Sequence, residues 1–322
     1  MQAFSILKPI SDQLQQVDDL LREFSESSEL PSLKDLLTHV FESSGKLARP
    51  ALTLLTAGFH PNDGAKVVTM ATAVEMLHVA TLIHDDTVDE ADTRRGRVTV
   101  SSNWGQHTAV LLGDYVFAAS ATYVCSTENI RVIKRFSETI MDLSRGQMQE
   151  TANSRDIGRG MDEYLDRIYL KTASLFSTSG ESGAILSGAP ETVVQSLKTY
   201  SEKIGLAFQV VDDILDIRGT QQEVGKPVGS DLMNGIITLP TIYAIEEAEC
   251  RQKVASFLKD PSNTDLHSEI VDIIRNSDAE ERSYRYAEQM VRNAKKSLAS
   301  LEDNHCKKSL LDMADFIISR TN

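Results

Sequence analysis

Two acidic strings with the same spacing stand out in this sequence. They are DDTVD and DDILD, and their aspartates are Asp85, Asp86, Asp89, Asp212, Asp213 and Asp216. At helical pitch, the first and last aspartate of each string lie one turn apart on the same helix face. Burying unpaired carboxylates among apolar residues is costly, and apolar residues flank both strings, so clusters of this kind usually bind cations.

The oxygen-only ligands indicate which cation would bind. Carboxylates favour a hard ion such as magnesium, which keeps several waters and usually bridges one or two carboxylates to the phosphates of a substrate. An acidic run can also be a solvated helix face. Because the string is repeated in similarly apolar surroundings, we predict instead two clusters that hold one diphosphate between them through magnesium.

Basic residues lie where a phosphate-binding site would need them. Arg94 and Arg95 follow the first string on a predicted loop, where two guanidinium groups can bind phosphate oxygens bidentately. Lys46 and Arg49 lie at a predicted helix start, where exposed backbone amides also favour anions. The candidate phosphate-binding residues are Lys46, Arg49, Arg94, Arg95, Lys171 and Lys226.

A histidine allows a second interpretation of the first string. His84-Asp85 is the dipeptide that gives metal-dependent HD phosphohydrolases their name, but such sites need further histidine ligands at suitable spacing. His39, His60 and His107 do not supply that spacing, and a buried histidine more often makes a structural hydrogen bond. A phosphohydrolase therefore stays open as an alternative function.

The amino-acid composition limits the kinds of molecule that the protein could bind. The 322 residues are 41% hydrophobic and 25% charged, as in an ordinary globular protein. A net charge of -14 argues against nucleic acid as a partner, because a phosphate backbone needs a basic face. The same charge repels a diphosphate, so bound metal ions and a local basic cluster must overcome that repulsion.

Helical periodicity runs through most of the chain. Val17, Leu21 and Phe24 recur at helical spacing, comparable stripes follow, and strand-like alternation is scarce. We predict an all-α fold, a single large bundle of long, mostly antiparallel helices around a central cavity, with residues 1–322 as one domain. Pro240 interrupts an apolar stretch and predicts a helix start or a kink.

Cysteine usage and the apolar runs bear on location. Cys125, Cys250 and Cys306 are widely spaced and form no CxxC arrangement, so we expect reduced, buried thiols. The first apolar run is too brief for a secretory signal. No uncharged apolar run approaches the roughly 20 residues of a membrane span. The sequence therefore predicts a soluble, cytoplasmic protein.

From the GKLARP segment to the TLP segment around Pro240, the chain resembles the trans-isoprenyl diphosphate synthases, also called polyprenyl synthetases, and most of all the long-chain polyprenyl diphosphate synthases. MLHVATLIHDDTVDEADTRRG is similar to the first aspartate-rich region of that family, and FQVVDDILDIRG with GKPVGSDL is similar to the second. KTA at Lys171 and GQ at Gly146 also match. The chain departs at Ser44 and Leu47, where the family usually has a glycine and a basic residue.

The resemblance implies a magnesium-dependent, head-to-tail 1'-4 condensation of isopentenyl diphosphate with an allylic diphosphate, carried out by a homodimer. All six aspartates of the two strings are implied as magnesium ligands. The residues implied in catalysis are Asp85, Asp86, Asp89, Lys171, Thr172, Gln209 and Asp212. The allylic diphosphate would contact Arg94, Lys171 and Lys226, and isopentenyl diphosphate would contact Lys46, Arg49, His78 and Arg95.

Residues one turn before the first string bear on product length. Ala80 and Thr81 precede Asp85 by five and four residues, which places them about 5.4 Å deeper along the same helix. Neither side chain is bulky, so a hydrocarbon tunnel below the string would stay open, and we predict a product longer than geranylgeranyl diphosphate. If Met76 or Phe117 forms a floor instead, the product would be geranylgeranyl or farnesyl diphosphate. A long product implies transient membrane contact during release.

Two further alternatives use only part of the pattern. A terpene cyclase or a phosphohydrolase would need the first string alone, and neither accounts for the second string together with GKP. A non-catalytic partner subunit would be expected to have lost one acidic string, whereas both are intact. Incorporation of isopentenyl diphosphate by the chain alone separates these alternatives.

Overall fold

The computed structural model describes residues 6–42, 45, 47–94, 96–219 and 228–320. Almost every described residue outside the turns is helical, which confirms the predicted all-α class. The helices are α1 Ser11–Glu26, α2 Pro31–Phe41, α3 Ala48–Ala57, α4 Gly64–Val88, α5 Val100–Trp104, α6 Gln106–Cys125, α7 Ile130–Asn153, α8 Met161–Ile168, α9 Ser174–Leu186, α10 Glu191–Arg218, α11 Ser230–Met233, α12 Leu239–Ala244, α13 Ala248–Lys259, α14 Thr264–Asn276, α15 Ala279–Ser297 and α16 His305–Ser319.

Three short elements complete the fold. A 3-10 turn, Lys8–Ile10, precedes α1, and a π-helix, Tyr169–Ala173, lies between α8 and α9. The predicted loop after the first acidic string contains a small antiparallel hairpin, β1 Thr93–Arg94 and β2 Arg97–Val98. The sequence did not predict this hairpin, because two residues are too few to show strand alternation.

The chain divides into two compact units. Unit 1 comprises Met1–Glu138, Thr178–Lys198 and Ser300–Asp312. Unit 2 comprises Thr139–Ser177, Thr199–Ala299 and Met313–Asn322. The assignment of residues 1–322 to a single domain stays a prediction.

Helix α4 organises unit 1. It begins after Asp63, whose side chain accepts a hydrogen bond from the amide of Ala65 at 3.1 Å. Apolar side chains project from all sides of α4, and helices of this kind are normally buried. Accordingly, α4 packs against α1, α3 and α6. Gly113 of α6 leaves room for the side chain of His84 on α4, since a Cβ there would lie 2.1 Å from His84 Nε2. The first acidic string forms the C-terminal end of α4.

Unit 2 has its own apolar core. Residues such as Leu232, Phe257, Ile270 and Ile274 are buried against one another. Helix α12 begins at Leu239 with Pro240 in its first turn, which confirms the predicted helix start, because proline lacks an amide hydrogen that this position does not need. Helix α10 runs to Arg218 and carries the second acidic string in its last two turns.

All three cysteines are free, as predicted. Cys250 is buried and Cys306 is half-buried, but Cys125, the last residue of α6, is exposed, so the expectation of burial was wrong for this residue. Its position at the exposed end of a helix explains the difference.

Two helices have the length and composition of membrane-spanning segments, with a mean hydropathy of 1.5 for α4 and 1.3 for α6. The apolar segment of α4 is 72% buried inside the protein, as expected for a core helix. That of α6 is only 33% buried. Helix α6 therefore has apolar residues that the described part of the chain leaves exposed.

Candidate active site

The first aspartate row consists of Asp85, Asp86 and Asp89 in the last turn and C-cap of α4. Asp86 is buried, Asp85 is half-buried and Asp89 is exposed. The C-terminal end of a helix has a partial negative charge, which disfavours carboxylates and favours cations. The last turn of α4 contains no basic residue. A cation bound by the row would relieve this electrostatic cost.

Arg94 supplies one positive charge to this row from the hairpin. Its Nε donates a hydrogen bond to Asp86 Oδ1 at 2.6 Å. Asp86, Arg94 and His78 line the same cavity of about 70 Å³ in unit 1, together with Gly45. That volume admits a few water molecules or a small anionic group. The structure thus brings together three of the residues that the sequence assigned to metal and diphosphate binding.

His84 does not extend the first row. Its Nε2 lies 3.3 Å from the carbonyl oxygen of Val110 and 3.5 Å from Asp114 Oδ1, both on α6. His39 is also engaged, with its Nε2 2.9 Å from the carbonyl oxygen of Val98. Within the described ranges, no three histidine, cysteine, aspartate or glutamate side chains are grouped so that they could share a metal. His84 and His39 thus make contacts outside the first row, with α6 and with the hairpin.

The second aspartate row consists of Asp212, Asp213 and Asp216 on α10, and its three carboxylates have different surroundings. Asp216 accepts hydrogen bonds from the amide and hydroxyl of Ser230, at 3.2 and 2.7 Å, and from the amide of Asp231 at 3.2 Å. These contacts fasten the start of α11 to α10. The metal-ligand role of Asp216 stays a prediction, since its oxygens already have protein donors.

Asp213 is buried, and both of its oxygens accept protein hydrogen bonds. The hydroxyl of Tyr164 donates to Oδ2 at 2.6 Å, and Gln209 Nε2 donates to Oδ1 at 2.8 Å. Burial raises the pKa of Asp213 to about 7, although the bonds from Tyr164 and Gln209 oppose that shift. Burial, and then the carboxylate of Asp213, raises the pKa of Tyr164 well above its usual range, so this hydroxyl stays protonated.

Asp212 is half-buried and faces Arg320, the residue after the last helix, α16. Arg320 Nη1 lies 2.9 Å from Asp212 Oδ1, and the Arg320 guanidinium stacks 4.8 Å from the ring centroid of Phe208. Asp212 is the most exposed carboxylate of the second row, since Asp213 and Asp216 are both buried.

The π-helix presents two of the predicted catalytic residues. Lys171 donates a short hydrogen bond to Glu150 of α7. Thr172, the next residue, is buried, and its hydroxyl donates to Gln209 Oε1 at 2.7 Å. Single-turn π-helices widen a helix locally and are frequent at functional sites. Here the wider turn allows consecutive side chains to contact two different helices.

The donor set of the aspartate rows fits magnesium. Every candidate ligand is a carboxylate oxygen, and Asp85 and Asp89 lie one turn apart on α4. Magnesium uses one or two carboxylates and completes its coordination with water and phosphate oxygens, so a full set of protein ligands is not required. The charge of the helix end and the guanidinium of Arg94 are both consistent with a metal-bound diphosphate.

The remaining predicted residues are less informative. Ala80 is buried, and Thr81 is half-buried with its hydroxyl donating to the carbonyl of His78 at 2.8 Å. Arg49 lies in the first turn of α3. Lys46, Arg95 and Lys226 lie outside the described residues. Their proposed roles in binding diphosphates stay predictions.

Three residues with evident roles were missed by the sequence analysis. Glu150 binds Lys171, and its position one turn after Gly146 and Gln147 was a signal that could have been used. Tyr164 precedes Lys171 by seven residues, the spacing of two helical turns. Arg320 had no local signal, because it contacts Asp212 only through the tertiary fold.

The described residues form an all-α fold, with one aspartate row at the C-terminal end of α4 and the other near the C-terminal end of α10. Residues 30–274 match the polyprenyl synthetase family. Heptaprenyl diphosphate synthase component 2 of Geobacillus stearothermophilus is 34% identical over 311 residues, with 97% of each chain covered. The chain belongs to the polyprenyl synthetase family.

Solved structures agree with this assignment. A decaprenyl diphosphate synthase from Rhodobacter capsulatus has a TM-score of 0.92 and 35% identity, covering 99% of both chains. A polyprenyl synthase from Caulobacter crescentus, complexed with calcium and isoprenyl diphosphate, has a TM-score of 0.92 and 29% identity, covering 99% of this chain and 98% of that chain. The isoprenoid synthase fold is therefore shown over nearly the whole chain.

Proposed function

We propose that the protein catalyses the magnesium-dependent, head-to-tail 1'-4 condensation of isopentenyl diphosphate with an allylic diphosphate, and that its product is longer than geranylgeranyl diphosphate. The observation that carries the proposal is the first aspartate row, where carboxylates at a helix C-terminus lie beside Arg94. The relatives named heptaprenyl and decaprenyl diphosphate synthases support a long product.

The metal ligands in this proposal are the carboxylates of both aspartate rows, with Asp85, Asp89 and Asp212 the most accessible. Magnesium, when bound there, would neutralise the charge of the allylic diphosphate as that group leaves. Arg94, Lys171 and Lys226 would contact the same diphosphate. Lys46, Arg49, His78 and Arg95 would bind the diphosphate of isopentenyl diphosphate. The relative from Caulobacter crescentus was solved in complex with calcium and isoprenyl diphosphate, which supports a divalent cation and a prenyl diphosphate as the bound species.

The reaction needs no nucleophilic side chain. Cleavage of the allylic carbon–oxygen bond leaves a carbocation and a diphosphate, and fixed positive charges stabilise the leaving group. The double bond of isopentenyl diphosphate attacks the cation, and a proton then leaves to the departed diphosphate. Thr172 and Gln209 would lie near the reacting carbon, where hydroxyl and amide oxygens stabilise positive charge. Apolar walls exclude water, which would otherwise convert the cation to an alcohol.

A homodimer is part of the proposal, and the exposed face of α6 supports it. Val110, Leu111 and Tyr115 lie on that face and are 44%, 55% and 41% exposed. Contiguous apolar residues on the surface usually mark an interaction site. A second candidate partner is a separate subunit, because one relative is named as component 2 of its synthase. We propose a cytoplasmic location, with transient membrane contact when a long product is released.

The test is incorporation of radiolabelled isopentenyl diphosphate by the purified chain alone, with magnesium and a farnesyl diphosphate primer. Extractable polyprenyl products are expected, and EDTA should abolish them. Asp85→Asn should lower the rate at least about 100-fold, whereas Asp272→Asn, at an exposed aspartate on α14, should not. Release of phosphate without isopentenyl diphosphate, or a cyclic hydrocarbon, would contradict the proposal. Activity only after a second subunit is added would favour the component alternative.

A further inference from the structure

Tyr164 has no role in the function proposed above, yet it contacts the second aspartate row. It lies on α8 with its side chain only 3% exposed, and its hydroxyl donates to Asp213, 49 residues further along the chain. Arg167 of the same helix donates to the carbonyl of Ile237 at 2.9 Å, and its guanidinium lies 5.6 Å from the Tyr164 ring centroid. Tyr164 and Arg167 therefore anchor α8 at two points about one turn apart.

The hydrogen bond from Tyr164 is the first of three in series. Asp213 accepts from Tyr164 at one oxygen and from Gln209 Nε2 at the other, and Gln209 Oε1 accepts from the hydroxyl of Thr172. We call these four residues the hydrogen-bond chain. All three donor–acceptor distances lie between 2.6 and 2.8 Å, as expected for strong bonds.

In the hydrogen-bond chain, the donor and acceptor of one bond determine the donor and acceptor of the next. An ionised carboxylate has no hydrogen to donate, so the NH2 group of Gln209 must face Asp213 and its carbonyl oxygen must face Thr172. Thr172 then has to be the donor in its bond to Gln209. The hydroxyl hydrogen is committed, and the oxygen lone pairs of Thr172 are left for another group.

We infer that Tyr164 is a positioning residue for prenyl transfer: by holding Asp213, it fixes the amide of Gln209 and so directs the lone pairs of Thr172 toward the developing allylic cation. This inference rests on the proposed function, in which Thr172 lies near the reacting carbon. Positive charge on that carbon is stabilised by a fixed oxygen dipole without reorganisation during the reaction. Without the hydroxyl of Tyr164, Asp213 and Gln209 gain alternative orientations.

The test is the single-turnover rate of condensation by Tyr164→Phe at about pH 8, since single turnover separates chemistry from product release. We expect a rate about tenfold slower than that of the unmodified protein, equivalent to about 1.4 kcal/mol. The half-saturating concentrations of both substrates should change less than about twofold. The reason is that, of the residues proposed to bind the metal or the diphosphates, Tyr164 contacts only Asp213. Tyr200→Phe is the matched control, a fully buried tyrosine that lies about 20 Å before Asp213 along α10.

A purely structural role for Tyr164 is separated by a double-mutant cycle with Thr172→Val. If Tyr164 acts through the Thr172 hydroxyl, Tyr164→Phe should cause no further loss of rate in the Thr172→Val background. The same loss in both backgrounds would overturn the inference, as would an unchanged rate in Tyr164→Phe alone. If Tyr164→Phe does not fold, Asp213→Asn takes its place in the cycle, because it lets the Gln209 amide reverse, and the same coupling is required.

The two proposals fail in different ways. If the unmodified protein does not incorporate isopentenyl diphosphate, either alone or with a second subunit, the proposed function is wrong. If it does, and Tyr164→Phe is as fast as Tyr200→Phe, only the positioning role is wrong.

Discussion

Individual carboxylates in the two aspartate rows differ more than their matching sequence strings suggest. In the second row, Asp213 and Asp216 accept hydrogen bonds from Tyr164, Gln209 and the start of α11. Asp212 instead faces Arg320. The sequence predicted that the six aspartates would lie in helices, because spacing determines helix faces. It could not predict which oxygens already have protein donors, because donors such as Tyr164 and Ser230 lie 49 and 14 residues away along the chain.

Asp213 makes stability depend on pH. Its pKa is about 7 in the folded protein, compared with 3.8 as its ordinary value, because the carboxyl is buried. Between about pH 4 and pH 7 the folded state therefore holds a proton that the unfolded state loses, so the free energy of unfolding falls as pH rises through that window and levels off above it. Asp213→Asn lacks this contribution.

The measurement is thermal unfolding of both proteins in EDTA, between about pH 5 and pH 8. The Tm of the unmodified protein minus that of Asp213→Asn should decrease as pH rises and become constant above about pH 7. Asp216→Asn is the comparison, since it removes a neighbouring buried carboxyl. A Tm difference that stays constant across the range would contradict a raised pKa at Asp213.

Ala80 provides the prediction on product length. Ala80 is 1% exposed and lies five residues before Asp85 on α4. Ala80→Tyr should shorten the longest product by at least one isoprene unit, because a phenol ring would fill space that the growing chain needs. Product sizing after incorporation of labelled isopentenyl diphosphate measures this effect, with Ala80→Ser as the small-residue control. Unchanged products from a folded Ala80→Tyr protein would place the chain-length floor elsewhere.

At the scale of elements, the sequence predicted helices well and their irregularities poorly. The start of α12 at Pro240 followed from the chemistry of proline. The π-helix Tyr169–Ala173 was not predicted, because no local sequence pattern distinguishes it from an α-helix. Within it, Lys171 contacts Glu150 on α7 and Thr172 contacts Gln209 on α10. The hairpin that carries Arg94 was predicted only as a loop, for lack of any strand periodicity.

Close packing of α9 on α3 gives the prediction at this scale. A Cβ on Gly183 would lie 2.2 Å from the carbonyl oxygen of Thr53 and 2.3 Å from Thr56 Oγ1. Because backbone cannot move aside as a flexible side chain can, Gly183→Ala should destabilise the protein by about 2 kcal/mol, even after the gain in helix propensity. Chemical denaturation measures the loss.

The matched control for Gly183 is Gly64→Ala. Gly64 begins α4, and the nearest atom to a Cβ there is 3.9 Å away, an ordinary contact. This substitution should leave stability unchanged or raise it slightly, since alanine favours the helix. If Gly183→Ala and Gly64→Ala change the free energy of unfolding equally, then a Cβ at residue 183 fits between α3 and α9 without a clash.

For the whole molecule, the sequence identified the all-α class and the polyprenyl synthetase family, because helical periodicity and the two aspartate strings are local signals. Assembly was not predictable from periodicity alone. In α6 the exposed residues Val110, Asp114 and Ala118 recur at helical spacing, but the helix is apolar on nearly every side, so its sequence does not separate a core face from an interface.

Burial of that α6 face between two copies of the chain leads to the last prediction. Leu111 is 55% exposed on α6. Burying a leucine in a dimer interface stabilises the dimer by up to about 2 kcal/mol. Burying an unpaired glutamate there destabilises the dimer. Leu111→Glu should therefore convert a dimer to a monomer in light scattering at micromolar concentration. Ile130→Glu is the control, because Ile130 is 83% exposed at the start of α7 and outside the α6 face. If the unmodified protein is a monomer, or if Leu111→Glu remains a dimer, the interface is not on α6. If Ile130→Glu also loses the dimer, the dimer contact does not depend on the α6 face.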